Sequence, residues 1–253
     1  MGFTSYKEIY FWLSVVREIS VSYTTVYRLV RQEFEAQLKV PRPRNPRQLP
    51  GEVDEFKANL SKRLKALLDR ESEKVKRYEK VSFWCEDESR FGCHTIARNK
   101  ITLFGVKPIG NFQYNFQCFW LYGAVEPRQG RSFFYEFSHL DGDCFGEYLL
   151  QLSQAFPNEL HILQVDNAPA HIAGHLEIPD NIILFYQPSC CPEVNPAERV
   201  WLYLKNFLAW ETFESLDALR DKLDALLNRL SNDTIGYLTG WSWILEALCL
   251  SGI

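Results

Sequence analysis

Three acidic residues, Asp87, Asp166 and Glu198, lie in local sequences that can bring their carboxylates to one point. Asp87 follows an apolar run in VSFWCEDESRFG, Asp166 follows a second run in HILQVDNAPAH, and Glu198 lies in NPAERVWLYLK, which is typical of a helix start. Carboxylates that meet from two strand ends and a helix are ligands for hard divalent cations such as Mg²⁺. Two such cations can activate a nucleophile and stabilise a leaving oxygen in phosphoryl chemistry. The pattern therefore predicts an enzyme that acts on nucleic acid phosphodiesters.

Two of these carboxylates also have a plain structural interpretation. An aspartate at a strand end, such as Asp166, often forms an Asx turn. Asp87 is flanked by Glu86 and Glu88, and all three could form an exposed acidic turn. If the strand continues, alternation places Glu86 and Glu88 on one face and Asp87 on the other. The sequence does not say which face is the site.

Three further side chains, those of Glu198, Lys205 and His171, each have more than one interpretation. Asn195-Pro196-Ala197-Glu198 fits a capping box in which Glu198 bonds only to the backbone, but a glutamate in the first helical turn can also face a metal. Lys205, on the same predicted helix, could reach a phosphate. His171, five residues after Asp166, could orient water or contact phosphate, or be a helix-capping or partly buried histidine.

Composition excludes several classes of protein. The 253 residues, with 46% hydrophobic and 15% aromatic content, suffice for a large domain plus a small one, and exclude global disorder. No apolar stretch reaches the length of a membrane span. Seven cysteines without a C-x-x-C pair argue against a disulfide framework or a zinc site, and for a reducing compartment.

Charge is distributed unevenly along the chain. The net charge is −4, yet the first fifty residues carry eight Lys and Arg against four Asp and Glu. A basic N-terminal segment followed by an acidic remainder is typical of a DNA-binding segment attached to a metal-binding domain. A charge-mixed solvated surface is the alternative.

Residues 1–38 predict two helices and a tight turn, in the layout of a helix-turn-helix. The break falls at Glu18–Val21, and Ser22 is the predicted N-cap of a second helix with Val26, Leu29 and Val30 on its apolar face. In a helix-turn-helix the second helix enters the major groove, whereas a plain helical hairpin is the alternative. The predicted DNA-binding residues of this segment are Tyr23, Thr24, Tyr27, Arg28 and Arg31.

Residues 39–51 predict an extended basic linker. Four prolines in this span disfavour helix and sheet interior. Arg42, Arg44 and Arg47 could track phosphates or enter a minor groove, and a stiff spacer is the alternative. Residues 52–80 then predict an amphipathic connecting helix with Phe56, Leu60, Leu64 and Leu67 on one face.

Residues 81–253 predict a mixed sheet flanked by helices, because several strands in succession are followed by strands that alternate with helices. The predicted strands are Val81–Cys85, Ile101–Phe104, Phe116–Val125, Ser132–Phe137, His161–Val165 and Ile182–Tyr186. The predicted helices are Phe145–Phe156, Pro196–Leu208, Leu216–Leu230 and a Trp-rich end around Trp241 and Trp243.

The motifs DESRFG, QVDNAPAH and NPAERVWLYLK, in this order, resemble those of the DDE transposases of the mariner superfamily, in its bacterial insertion-sequence branch. VSYTTVYRLVR resembles the last helix of that family's DNA-binding region, PRPR its basic linker, and residues 81–208 its RNase H-like catalytic core. The resemblance implies an α/β fold with an RNase H-like mixed sheet, preceded by a small helix-turn-helix segment. Family members carry further helices before the resembled one, so the resemblance implies a DNA-recognition region that is incomplete here. QPSCCPEVNP also departs from the family's Pro-Tyr-Ser-Pro loop, which puts the approach to Glu198 in question.

The resemblance also implies a mechanism and its components. The catalytic and metal-binding triad falls on Asp87, Asp166 and Glu198, with 31 residues between the last two and two Mg²⁺ or Mn²⁺ ions bound, Asp87 bridging them. The implied partners are double-stranded DNA, as the element's terminal inverted repeats and as target DNA, and a second copy of the chain. The implied setting is a bacterial cytoplasm, on the nucleoid, with no membrane.

Two alternatives to transposition remain open. The first is a metal-dependent nuclease of the same fold that cleaves without joining. The second is a truncated or decayed transposase that acts only as a DNA-binding protein. A helix-turn-helix and a basic linker imply a specific end sequence and disfavour the first, whereas an intact acidic triad disfavours the second.

Overall fold

The computed structural model describes residues 3–39, 45–103, 105–172, 174 and 176–253. Arg42 and Arg44 of the predicted linker lie outside the described residues. The chain divides into two compact units, Met1–Arg44 and Asn45–Ile253. Each unit is described by itself.

The first unit contains two short helices that each end in a π-helical turn. Ser22 caps the second helix as predicted, since its Oγ accepts a hydrogen bond from the Thr25 N–H at 3.1 Å. Glu18, in the predicted break, has a left-handed backbone with φ of 56°. The elements are α1 (Tyr6–Phe11) with its π-helical extension (Trp12–Val16), and α2 (Tyr23–Arg28) with its extension (Leu29–Glu33).

Aromatic rings hold these two helices together. The Tyr27 ring packs edge-on against Tyr6 at 5.0 Å between centroids, and the Tyr23 ring lies 6.2 Å from Tyr10. Val26 is buried, but Leu29 is 43% exposed, so the prediction of Leu29 on the apolar face is wrong. Leu29 is the residue at which α2 passes into its π-helical extension, so the α-helical spacing on which the prediction depended does not continue past it.

The second unit begins with a long helix, α3 (Glu52–Arg70), followed by a single turn, α4 (Ser72–Val75). The side chains on the predicted apolar face of α3 are all buried. They belong to the same hydrophobic core as the sheet and the C-terminal helices. The helix is therefore part of the folded body of this unit.

A five-stranded mixed sheet forms the centre of the second unit, in the order β3-β2-β1-β4-β5. The pairs β1–β2 and β2–β3 are antiparallel, and β1–β4 and β4–β5 are parallel. The strands are β1 (Lys80–Gly92), β2 (Cys118–Glu126), β3 (Arg131–Phe137), β4 (Glu159–Val165) and β5 (Ile182–Tyr186). The prediction of a mixed sheet flanked by helices is confirmed.

The first strand runs seven residues beyond the predicted end at Cys85, so Asp87 lies within the strand and not at its end. The extension exists because Cys85–Gly92 pairs antiparallel with β2. The predicted strand Ile101–Phe104 is wrong: residues 101–103 form no strand, Ile101 is fully exposed, and Phe104 lies outside the described residues. Both edges of β1 and of β2 are already paired with other strands, so residues 101–103 cannot pair with either of these strands.

Helices cover both faces of the sheet. On one face, α5 (Gly142–Ala155) packs on alternate residues of β1, β2 and β4. The other face is covered by α3 and by the helices α6 (Ala197–Phe207), α7 (Leu216–Leu227), α8 (Asn232–Thr239) and α9 (Ser242–Ser251). Among the described residues, no helix is both long and apolar enough to cross a membrane.

Candidate active site

Asp87 points toward the α6 side of the sheet and is hydrogen-bonded there. Its Oδ2 accepts the indole N–H of Trp201 at 2.9 Å. The residue paired with Asp87 on β2 is Gly123, and a Cβ at that position would lie 2.5 Å from Cη2 of Trp201. The missing side chain of Gly123 therefore makes the room in which the indole reaches Asp87.

One face of α6 carries three residues directed at this region. Glu198, Trp201 and Lys205 follow at spacings of three and four, which places them on the same side of a helix. Trp201 is buried, Glu198 is exposed and Lys205 is half-buried, with its Nζ 5.5 Å from the centre of the Phe91 ring. A carboxylate therefore lies one turn before Trp201 on α6, and an ammonium group one turn after it.

Asn195 fixes the start of α6 to the strand that carries Asp87. Its Nδ2 donates to the main-chain oxygen of Glu86 at 2.7 Å, and its Oδ1 accepts from the Ala197 N–H at 3.1 Å. Among the described residues, Glu198 makes no hydrogen bond to the helix backbone, so its side chain is not used as a cap. The local sequence predicts Asn195 only as a helix cap, and this link to β1 is a further role that it does not reveal.

Asp166 follows the last residue of β4 and lies beside Asp87. The last pair between β1 and β4 is Cys85 with Gln164. Asp87 and Asp166 each lie two residues after these, at the same level of the sheet. Neighbouring strands are about 4.8 Å apart. Oδ1 of Asp166 accepts from the Ala168 N–H at 2.7 Å, as in an Asx turn, and the side chain is 45% exposed.

The charges of these side chains act on one another. Burial, followed by the negative charges of Glu198 and Glu88, raises the pKa of Asp87 well above its usual value. Desolvation also raises the pKa of Glu198, while Lys205 opposes that shift. Burial lowers the pKa of Lys205, and the charges of Glu198 and Asp87 oppose it. The site thus concentrates carboxylates whose repulsion a bound cation would relieve.

A second group of charged residues lies on the opposite face of β1. Glu86 and Glu88 point toward α5, as strand alternation predicts, and His171 is buried between Glu88 and Asp166. Burial opposes protonation of the imidazole, but the hydrogen bonds with Asp166 and Glu88 raise the pKa of His171 to about 11. The bond with His171 in turn lowers the pKa of Asp166, against the effect of burial. The contact between Glu88 and His171 cannot be predicted from the local sequence around either residue.

The donor set around Asp87 suits divalent metal ions. Asp87, Asp166 and Glu198 offer only carboxylate oxygens, the ligands that Mg²⁺ and Mn²⁺ prefer. Among the described residues, the group of three whose ligand atoms all lie within 4.8 Å of one another is instead Glu86, Glu88 and His171. The ligand atoms of Asp87, Asp166 and Glu198 are spaced more widely than that.

The predicted DNA-binding residues that the structure describes are on the surface. Thr24, Arg28 and Arg31 are exposed. Tyr23 and Tyr27 are 40% and 41% exposed, although each ring also packs on α1. Arg47, in the second unit, is exposed and donates its main-chain N–H to Asn45 Oδ1 at 2.9 Å.

Solved structures share this fold. The Mos1 mariner paired-end complex with Mn matches with a TM-score of 0.68 and 16% identity, over 99% of this chain and 74% of that chain. The Mos1 strand transfer complex matches with a TM-score of 0.66 and 17% identity, over 99% and 73%. The catalytic domain of Mos1 mariner transposase matches with a TM-score of 0.53 and 15% identity, over 85% and 97%. These matches confirm the RNase H-like fold that the resemblance implied.

Sequence comparison identifies the family. Uncharacterized protein y4pE/y4sA of Sinorhizobium fredii (strain NBRC 101917 / NGR234) is 31% identical over 113 residues, which are 44% of this chain and 84% of the relative. The family model described as DDE superfamily endonuclease matches residues 82–220, a segment that holds Asp87, Asp166 and Glu198. The chain belongs to the DDE superfamily endonucleases.

Proposed function

We propose that this protein is a transposase that cleaves phosphodiester bonds at the terminal inverted repeats of a DNA element and transfers the freed 3′ ends into target DNA. The observation that carries the proposal is the placement of α6 against β1. There Trp201 donates a hydrogen bond to Asp87, and the negative charge of Glu198 raises the pKa of the same carboxyl group. Membership of an endonuclease family supports it. The structures that share the fold are described as paired-end and strand transfer complexes.

In this proposal Asp87, Asp166 and Glu198 hold two Mg²⁺ or Mn²⁺ ions. When bound, such ions activate the attacking oxygen and stabilise the leaving oxygen of an in-line displacement. Trp201 fixes the orientation of Asp87, and Asn195 keeps the first turn of α6 beside β1, so that Glu198 is held close to Asp87. Lys205 lies where its ammonium group can meet a phosphate of the bound strand.

In this proposal DNA recognition is a role of residues 1–51. We propose residues 1–38 as a helix-turn-helix segment, 39–51 as a basic linker, 52–80 as a connecting segment and 81–253 as the catalytic domain. The connecting segment is not the single helix that the sequence predicts, because α3 ends at Arg70, α4 follows as one turn, and β1 begins at Lys80. Exposed side chains on and after α2, and the arginines of the linker, would contact the repeat DNA. Because two element ends must be paired before joining, we propose a homodimer on DNA, acting on the nucleoid in a bacterial cytoplasm.

A cleavage and joining assay tests this function. The purified full chain is mixed with DNA that carries the inverted repeats flanking its own gene, with Mg²⁺ or Mn²⁺, and with unrelated DNA in parallel. Transposition predicts metal-dependent nicks at the repeat ends and joined products. Cleavage without joining, or equal cleavage of unrelated DNA, would establish the nuclease, and binding without cleavage would establish a decayed transposase.

A further inference from the structure

The face of β1 opposite Asp87 carries a chain of contacts that ends at Asp166. Side chains alternate along a strand, so Glu88 points away from the side on which Asp87 lies. Oε1 of Glu88 is 2.9 Å from Nε2 of His171, and Nδ1 of His171 is 2.9 Å from Oδ1 of Asp166. One buried imidazole therefore links carboxylates from two neighbouring strands.

Both ring nitrogens of His171 have oxygen partners: Nε2 is hydrogen-bonded to Oε1 of Glu88 at 2.9 Å, and Nδ1 to the main-chain oxygen of Asp166 at 3.2 Å. Rotating the ring would therefore break both contacts. His171 is only 1% exposed, and its ring centre lies 4.2 Å from that of Phe145 on α5. Packing and hydrogen bonding together hold the ring in one orientation.

The consequence for Asp166 is a fixed carboxylate. Nδ1 of His171 lies 2.9 Å from Oδ1 of Asp166 and 3.2 Å from the main-chain oxygen of the same residue, and Oδ1 also accepts the N–H of Ala168 at 2.7 Å. No hydrogen bond to Oδ2 is found among the described residues, so these contacts hold Oδ1 and the main chain of Asp166 while Oδ2 is available to a ligand. A ligand held by a second hydrogen-bonded residue in this way keeps its orientation before the ion arrives.

We propose that Glu88 is a positioning residue of the active site, which acts through His171 to orient the carboxylate of Asp166. Consecutive residues of β1 would then serve one site from both faces of the sheet, Asp87 directly and Glu88 through two hydrogen bonds. The inference rests on the proposed role of Asp166 in metal binding. It assigns to Glu88 a function that the motif alone does not reveal.

Glu86 provides a control in the same strand and on the same face. Its nearest carboxylate oxygen is 3.9 Å from Nε2 of His171, which is too long for a hydrogen bond. Both carboxylate oxygens of Glu86 are buried without a partner among the described residues. Glu86 therefore has the same side chain as Glu88 on the same sheet face, but not its bond to His171.

A cation held by Glu86, Glu88 and His171 is the competing interpretation, because their ligand atoms lie within 4.8 Å of one another. Histidine binds a metal through the lone pair of a neutral ring nitrogen. Here Nε2, the ring nitrogen that faces the two glutamates, is already hydrogen-bonded to Oε1 of Glu88 at 2.9 Å, whereas Glu86 stays 3.9 Å away. The positioning role is therefore favoured.

The test compares Glu88→Ala, Glu88→Gln and Glu86→Ala in the full chain. Mn²⁺ affinity is measured by titration without DNA, cleavage of repeat-end DNA is measured against Mn²⁺ concentration, and DNA affinity and Tm are recorded for each variant. Glu88→Ala should weaken Mn²⁺ binding and cleavage about 10- to 100-fold with DNA affinity unchanged. Glu88→Gln keeps an oxygen that accepts from His171 and should recover part of the loss. Glu86→Ala should bind Mn²⁺ and cleave like the wild type.

Three results would overturn the proposal. They are unchanged Mn²⁺ dependence in Glu88→Ala, an equal loss in Glu86→Ala, or a Mn²⁺ ion retained by a protein with Asp87→Asn and Glu198→Gln but lost when Glu86→Ala is added. The last would establish the cation site. If the wild type binds Mn²⁺ but cleaves no DNA, the proposed function fails, and the Mn²⁺ affinities of the variants still decide the role of Glu88.

Discussion

Trp201 donates its indole N–H to Oδ2 of Asp87 at 2.9 Å, across a separation of 114 residues in the sequence. The bond joins α6 to β1 at the position where Gly123 of β2 pairs with Asp87. Because Gly123 has no side chain, the space beside Asp87 is open to the indole of Trp201. A buried hydrogen bond to a carboxylate is directional. Trp201 therefore sets the direction in which Asp87 presents its oxygens.

Replacing Trp201 with Phe removes the donor but keeps most of the ring volume. Losing a hydrogen bond to a charged group costs about 1.5–3 kcal/mol, which corresponds to a roughly 10- to 100-fold lower cleavage rate if the bond acts on the reacting arrangement. The measurement is the single-turnover cleavage rate at saturating Mn²⁺. The matched control is Trp243→Phe. Trp243 lies on α9 and packs on Phe56 of α3, so this variant should cleave normally. Equal rates for Trp201→Phe and the wild type would remove the orienting role from Trp201.

Gly123→Ala should damage both packing and activity. The added methyl group would lie 2.5 Å from Trp201 Cη2 and 2.7 Å from Phe134 Cδ1, and overpacking of this kind costs about 1–3 kcal/mol. We expect a Tm lower by several degrees, measured by thermal unfolding, and slower cleavage because the indole is displaced from Asp87.

Gly146→Ala on α5 is the control for this change. A Cβ there would meet only Leu176 Cδ1, at 3.5 Å, and alanine in a helix interior is favoured over glycine by about 0.5–1 kcal/mol. Its Tm should rise slightly and its cleavage should stay normal. If Gly123→Ala behaves in the same way, the space at Gly123 is not required for the indole.

Acid should weaken the fold through Glu159 at the start of β4. Arg131 binds both carboxylate oxygens of Glu159, at 2.9 and 2.7 Å, and this hydrogen bonding lowers the pKa of Glu159 to about 2, against the effect of burial. A lowered carboxyl pKa stabilises the folded state above the unfolded pKa of about 4.5, and the contribution is lost as the pH falls toward 2. Because Glu159 and Arg131 are partly exposed to solvent, screening reduces the contribution of the pair at pH 7 to about 1–2 kcal/mol.

Urea unfolding of the wild type and of Glu159→Gln at several pH values measures this contribution. The difference in free energy of unfolding should be largest above pH 5 and should shrink between about pH 4.5 and 2. A difference that stays constant over this range would mean that the charge of Glu159 does not stabilise the fold.

Replacing Arg42, Arg44 and Arg47 with Ala should weaken DNA binding and its dependence on salt. Each phosphate contact contributes about 0.9 to the slope of log K against log salt concentration, so three contacts contribute up to about 2.7. The measurement is the affinity for repeat-end DNA at several salt concentrations.

A second triple variant controls for net charge. It removes three exposed basic residues of α3, namely Lys62, Lys65 and Arg70. An unchanged slope in the linker variant, or the same decrease in both variants, would reduce residues 39–51 to a spacer.

Local sequence predicts much of this molecule. The strand Ile182–Tyr186 has the predicted bounds, and the other predicted elements after residue 104 begin and end within three residues of those observed, because apolar periodicity and turn residues act over short distances. The amphipathic face of α3 was predicted for the same reason.

Long-range contacts could not be predicted in this way. The extension of β1 past Asp87 depends on its register with β2, and the bond between Trp201 and Asp87 depends on that register and on Gly123. The contact of Glu88 with His171 joins residues 83 positions apart. Periodicity indicates which face a side chain is on, but not which residue lies opposite.

The most direct test of the proposed active site compares Asp87→Asn, Asp166→Asn and Glu198→Gln for Mn²⁺-dependent cleavage and for binding of repeat-end DNA. Glu246→Gln, on an exposed position of α9, is the matched control. We expect each of the three variants to bind DNA with wild-type affinity and to cleave none of it, while Glu246→Gln cleaves normally. Cleavage that survives in any one of the three would contradict the assignment of that carboxylate to the active site.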